Sequence, residues 1–251
     1  TGSSGLEPYL LFVRMHARLT MRDRPVLVLT LVVPLVFLTA MTRIGVPPIA
    51  AGAMALSVGI LTNGVFGAGV RIAQDRDMGV LRRFRASPAT AAHIVVGVTL
   101  GGAAFVVPSF MAATFLALAA FGFGLPAQPT AFVLFLTAAV LCSRSIGVLT
   151  AAITGSIQQS QLLAQAIIIG FIVGIQPAAE SSLSVTEDGG RWSPAYHAMS
   201  GFVSVLADRS RAGSIAPSIA LLLGVFACCL TVAILMFRWD TVRVDVTSER
   251  Q

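Results

Sequence analysis

Seven ionised side chains fall within fifteen residues of this sequence: Arg71, Asp75, Arg76, Asp77, Arg82, Arg83 and Arg85. These residue types suit electrostatic docking, and the segment is the only long charged stretch between hydrophobic runs. Met78, Leu81 and Phe84 interrupt the charge at i, i+3 and i+6, which on a helix makes a small apolar knob inside a basic rim. The spacing predicts a helix over Ile72 to Ala86, with Gly79 and Pro88 bracketing the turn. Burying Leu81 and Phe84 in a partner's groove would contribute about 3 to 6 kcal/mol before ordering costs.

Elsewhere the chemistry is sparse. Arg144 lies near the middle of a hydrophobic run, some 15 Å from its C-terminal, inner end by helical rise. An arginine at that depth costs about 3 kcal/mol or more and normally faces protein or a water-filled cavity. It is read here as a residue of a translocation path or as a snorkelling side chain. Asn63, the only asparagine, is either glue between helices or a second contact on such a path. The three cysteines, Cys142, Cys228 and Cys229, sit in apolar runs without the spacing of a metal or redox site. The histidines, His16, His93 and His197, are scattered over three segments. No embedded Ser-His pair, carboxylate pair or metal cluster suggests an intramembrane enzyme. Lysine is absent, and with it any G-x-x-x-x-G-K-[ST] phosphate loop, so ATP hydrolysis by that route is excluded.

The elements that position these residues follow from composition. At 251 residues, 56% hydrophobic and 11% charged, the chain is too apolar for a soluble domain and long enough for about six spans. The expected fold is all-α and polytopic, with six transmembrane helices. Spans are expected over 26–42, 46–70, 92–121, 130–154, 162–175 and 215–237, the fifth extended by the polar turn before it. Residues 1–24 form an N-terminal tail and an interfacial amphipathic helix, since Arg14, Arg18 and Arg22 make one stripe opposite Phe12, Met15 and Leu19. The span domain covers 25–240, with a charged loop at 71–91 and a long outer segment with amphipathic pieces at 177–214, which the family resemblance named below implies to be re-entrant. A cytoplasmic tail follows at 241–251. Gly97-x-x-x-Gly101 and Gly170-x-x-x-Gly174 are candidate helix-packing patterns.

Arginine placement orients this topology. Twelve arginines (14, 18, 22, 24, 71, 76, 82, 83, 85, 238, 243 and 250) fall on one side, and four (43, 191, 209 and 211) on the other. The positive-inside rule then puts both termini and the charged loop in the cytoplasm. No cleavable signal peptide is expected ahead of the first span. The net charge of +6 reflects orientation, which makes nucleic-acid binding a poor reading. Arginine without lysine, in an alanine-rich chain, hints at a GC-rich bacterium.

The order Arg76-Asp77-x-Gly79-x-Leu81-Arg82-Arg83-Phe84-Arg85-x-Ser87-Pro88 resembles the acidic-x-Gly-Thr-Leu-(x)-Arg-Leu-Arg-x-Thr-Pro signature of ABC-2 type exporter permeases, the daunorubicin-resistance group in particular. Asp77, Val80, Phe84 and Ser87 stand where that family has glutamate, threonine, leucine and threonine. The resemblance implies an exporter subunit in a bacterial cytoplasmic membrane, moving a drug-like, lipid or polyketide-type substrate outward, with antibiotic resistance among the roles of the group. It implies a separate ATPase that binds ATP and magnesium, so that this chain needs no cofactor or metal of its own. It also implies a second permease subunit, identical or sister, and a coupling helix carrying Asp77, Gly79, Leu81, Arg82, Arg83, Phe84, Arg85 and Pro88. The rival reading is a self-sufficient secondary transporter, which normally needs embedded ion sites or internal repeats. Only Arg144 answers that description, and no inverted repeat is visible.

Overall fold

The computed structural model describes residues 6–85, 89–121, 126, 128–180, 193–207 and 212–239. They form α1 (Glu7–Arg22), α2 (Arg24–Arg43), α3 (Pro48–Gly64), a π-helical segment (Val65–Val70), α4 (Arg71–Asp77), α5 (Val80–Arg85), α6 (Ala91–Phe121), α7 (Pro129–Ile153), α8 (Ile157–Glu180), α9 (Pro194–Leu206) and α10 (Ala212–Leu235). No strand occurs among the described residues. Prolines in the first turns of α1, α2, α3, α7 and α9 stand where a missing N–H costs nothing. The Ser193 hydroxyl caps α9 by accepting the Ala195 N–H at 3.2 Å.

Among the described residues, four helices are long and apolar enough to cross a membrane: Pro48–Asp77, Ala91–Ala117, Pro129–Ile153 and Ile215–Leu235. The apolar parts of α2 and α8, Thr30–Arg43 and Ile157–Val173, are shorter. The second expected span does not stop at Val70 as its hydrophobicity suggests. α3, the π segment and α4 run on as one helix of 30 residues, so Arg71, Asp75 and Arg76 ride on the span's last turns. Apolar lining continues through Ile72 and Ala73, both buried, and carries the helix past the first charge.

α2 runs antiparallel to the Pro48–Asp77 helix. Three levels fix the pairing: Arg71 Nη1 meets Asp23 Oδ2 at 2.7 Å, the Asn63 amide donates to Thr30 Oγ1 at 2.6 Å, and the Pro34 ring lies against Gly59. α7 packs closely on the end of α3 and the π segment, Gly64 lying against Ser143 and Gly147 and Gly69 against Gly147, so that a methyl at any of the three glycines would overlap the other helix. Lipid tails are as apolar as leucine, so close packing and interhelical hydrogen bonds hold such helices together more than hydrophobic burial does.

α9 is seated within the bundle, with Ala195, Ala198, Met199, Phe202 and Val205 buried toward its neighbours. Phe202 meets Phe135 of α7 edge-on, ring centroids 4.8 Å apart, and Gly201 leaves room for that ring. α9 falls inside the outer segment expected at 177–214. Residues 181–192 and 208–211 of the expected outer segment, with Arg191, Arg209 and Arg211, lie outside the described residues, as does the tail beyond 239.

α1 is packed lengthwise on the first three turns of α6. The Tyr9 ring lies tilted against that of His93, centroids 4.3 Å apart, Phe12 lies against Gly97, and Val13, His16 and Ala17 lie against Gly101. Arg14 and Arg18 are exposed, but so are Leu10, Leu11 and Leu19, so α1 has one apolar side on α6 and another turned outward.

Candidate functional site

The charged turn after the first long span is built by one glycine. Gly79 has φ +73°, a left-handed conformation that costs an L side chain about 1 to 2 kcal/mol. Its N–H closes on Arg76 O at 3.0 Å and the Met78 N–H on Gln74 O at 2.9 Å, which ends α4 and redirects the chain into α5. The single helix over Ile72 to Ala86 expected from spacing is therefore two. A continuous helix would have put Met78, Leu81 and Phe84 on one face; the break separates them. Leu81 is 3% exposed and packs with Ile72, Ile94 and Val98, whereas Met78 is 67% exposed. Phe84 is half-buried, with its ring 5.6 Å from that of Phe12. The apolar knob is thus an internal anchor for α5, and the residues left at the surface are Asp77, Met78, Arg82, Arg83 and Arg85. Pro88 lies outside the described residues.

Two adjacent residues clamp the turn to the rest of the bundle. Arg76, 2% exposed, donates from Nη1 to Ala151 O at 2.9 Å, at the end of α7. Asp77 Oδ2 accepts the Ile157 N–H at 3.1 Å, at the first residue of α8. A carboxylate on a helix N-terminus is favoured both by the orphan donors and by the helix dipole. The polar turn 154–156 closes the same corner, Gln159 Oε1 accepting the Gly155 N–H at 2.9 Å. The span that ends at Asp77 is therefore fastened to the corner joining α7 to α8.

Arg144 and Asn63, the two candidate path residues, are both enclosed. Arg144 is 2% exposed; its Nε donates to Thr99 O at 3.1 Å and its Nη2 to Val98 O at 2.8 Å, both on α6. The guanidinium lies across Gly102, where any Cβ would overlap it. Asn63 is buried with its amide on Thr30, and its Oδ1 has no partner. Gly97 and Gly101 are filled by α1 of the same chain, while Gly170 has nothing within 4 Å and faces outward on α8. The surroundings of Gly174 lie outside the described residues.

The sequence of residues 38–235, well over half of the chain, matches the family described as ABC-2 family transporter protein. This chain belongs to that family. The match runs from the end of α2 through α10 and includes the Gly79 turn, both halves of the clamp and Arg144. A comparison with curated proteins gives no match. As an ABC-2 protein the chain is a multi-pass membrane transport component and is not itself catalytic. Sequence reasoning missed two features of this ABC-2 protein: the Arg76–Ala151 and Asp77–Ile157 clamp, and the Gly64, Gly69 and Gly147 seam. For the seam a signal existed, since Ser143-x-x-x-Gly147 is a small-residue pattern like those singled out elsewhere. For the clamp, pairing over 75 and 80 residues leaves no local trace.

Proposed function

We propose that this chain is the permease subunit of an ABC exporter, moving an amphipathic drug-like, lipid or polyketide-type substrate out of a bacterial cell on ATP hydrolysed by a separate subunit. α2 and α8 are read as spans too, giving six in all, with both termini cytoplasmic and α1 at the inner leaflet. Two permease subunits, identical or sister, make the working unit. The chain itself lowers no chemical barrier; ATP binding on the partner favours one packing of the subunits over another.

One observation carries this reading: a short basic helix, α5, stands beyond a 30-residue span, seated by the buried Leu81, while a two-residue clamp fastens the end of that span to the α7–α8 corner. A loop serving only to orient the protein would need arginines but neither anchor nor clamp. The exposed Met78 and Arg83 supply the contact with the ATPase, Arg82 and Arg85 the basic rim, and Arg76 and Asp77 pass displacement of α5 to the α7–α8 corner.

The test is co-purification. Met78→Asp with Arg83→Glu leaves the internal anchor untouched and reverses the outer surface. Expected is loss of the ATPase chain from the purified complex and loss of transport, at unchanged membrane insertion. A double variant that keeps both would reduce the turn to topological charge and favour a self-sufficient carrier.

A further inference from the structure

The outward side of α1 is basic and apolar at once. Arg14, Arg18 and Arg22 are exposed, and at four-residue spacing they fall within about 80° of helical arc. Leu10, Leu11, Leu19 and Met21 lie among and beside them, each between 42 and 65% exposed. Among the described residues no carboxylate pairs with this row. Glu7, the one acid of α1, stands about 10 Å of helical rise before Arg14, and Asp23 at the far end is held by Arg71 at 2.7 Å. Water suits the arginines and not the leucines, hydrocarbon the reverse, and the headgroup layer suits both. Position agrees with this. α2 begins at Arg24, so Arg22 stands where the chain turns toward the bilayer, and Arg14 lies only about 12 Å back along the helix. A flank that served only to orient the chain would need no fixed face, but Tyr9 on His93 and Phe12 on Gly97 hold α1 to α6 and keep the row turned outward.

We propose that this side of α1 is a docking surface for anionic phospholipid of the inner leaflet, with Arg14, Arg18 and Arg22 on the phosphates and the leucines between them on the acyl chains. The proposal rests on the reading that places α1 at that leaflet, and adds the charge class of the lipid. Charge selects the class. Three cations within about 12 Å repel one another; a zwitterionic headgroup brings its phosphate together with a cation, whereas an anionic one brings net negative charge. Guanidinium also pairs phosphate oxygens two at a time. The other side of α1 gives the contact a consequence. Phe12 lies against Gly97 of α6, and its ring is 5.6 Å from that of Phe84 on α5. α1 is thus a layer between the leaflet and the basic helix, and lipid that seats α1 also steadies α5.

The full chain in detergent tests this with phosphatidylglycerol added against phosphatidylcholine of the same acyl chains. The wild-type thermal midpoint should rise by a few degrees more with phosphatidylglycerol, and the excess should shrink at high salt. Arg14→Gln, Arg18→Gln and Arg22→Gln together, all at exposed positions, should lose most of that excess, whereas Arg14→Lys, Arg18→Lys and Arg22→Lys together should keep it. A bimane label on Leu11→Cys, in a chain lacking its native cysteines, reports placement separately. Nitroxide-headgroup lipid should quench it in bilayers of either composition. No quenching in either would overturn the inner-leaflet placement of α1 and the site with it. Quenching in both, with equal midpoints in the two lipids or an undiminished excess in the glutamine variant, would leave the placement standing and overturn the anionic docking surface.

Discussion

Asp77 Oδ2 accepts the backbone N–H of Ile157 at 3.1 Å, joining the end of one long span to the start of α8 across 80 residues of sequence. Asp77→Ala removes the cap while leaving α5 and its arginines in place. A loss of about 0.5 to 2 kcal/mol in stability is expected, read as a lower thermal midpoint in detergent. Asp77→Asn, which can still accept the bond, should recover most of it.

The Gly79 turn isolates a backbone effect, because nothing lies within 4 Å of where a Cβ would stand. Gly79→Ala should cost about 1 to 2 kcal/mol through its φ of +73° alone. Gly79→Asn, which tolerates the left-handed region, should cost less. Chemical unfolding of the three chains side by side measures the order.

Glycines on α7 and α8 should behave in opposite ways. Gly147→Ala forces a methyl into the backbone of Gly64 and Val65, an overpacking worth about 1 to 3 kcal/mol, and yield and melting temperature should both fall. Gly170→Ala should leave the melting of the single chain unchanged. If it lowers the dimer fraction in cross-linking, the Gly170–Gly174 face is a subunit contact.

Acid should weaken the seat of α1. The His16 pKa lies near 4 in the folded chain and about 6.5 unfolded, so between those values the unfolded chain binds more protons. The contribution is complete above pH 6.5 and is lost as pH falls toward 4. Going from pH 7 to 4.5 should cost about 2 to 3 kcal/mol from this group. Thermal scans of wild type and His16→Phe check it: the difference between the two should shrink in the variant's favour as pH drops.

Orientation is testable with single cysteines on a background lacking Cys142, Cys228 and Cys229. A cysteine at Gln128, before α7, should react with an impermeant reagent added to intact cells, and one at Met78 only after lysis. The reverse pattern would sink the cytoplasmic placement of the charged turn.

What the sequence made legible was whatever repeats or accumulates along the chain. α6, α7 and α10 fall within a few residues of the hydrophobic runs that predict them, because span length is a property of consecutive residues. The start of α8 in the polar turn followed from the shortness of its apolar run. The helix over 72–86 did not survive, although its deciding residue was in view. Gly79 could be read as a bracket or as a helix break, and only the positive φ chooses. The burial of Leu81 was equally hidden, since periodicity shows that a face is apolar and not which neighbour it meets. Arg144 stood out by type, but its two acceptors, Val98 O and Thr99 O, are backbone atoms that every residue owns.

The π segment at Val65–Val70 is, in effect, an α-helix carrying one inserted residue. Deleting a residue within α3 would swing everything beyond it by about 100°, turning Arg71 away from Asp23 and Arg76 away from Ala151. Deleting one residue between 65 and 70 would instead let the helix close into ordinary turns with Asn63 still on Thr30 and Arg71 still on Asp23. In genetic terms, the gene should tolerate an in-frame loss of one codon there, in the middle of its most densely buried helix.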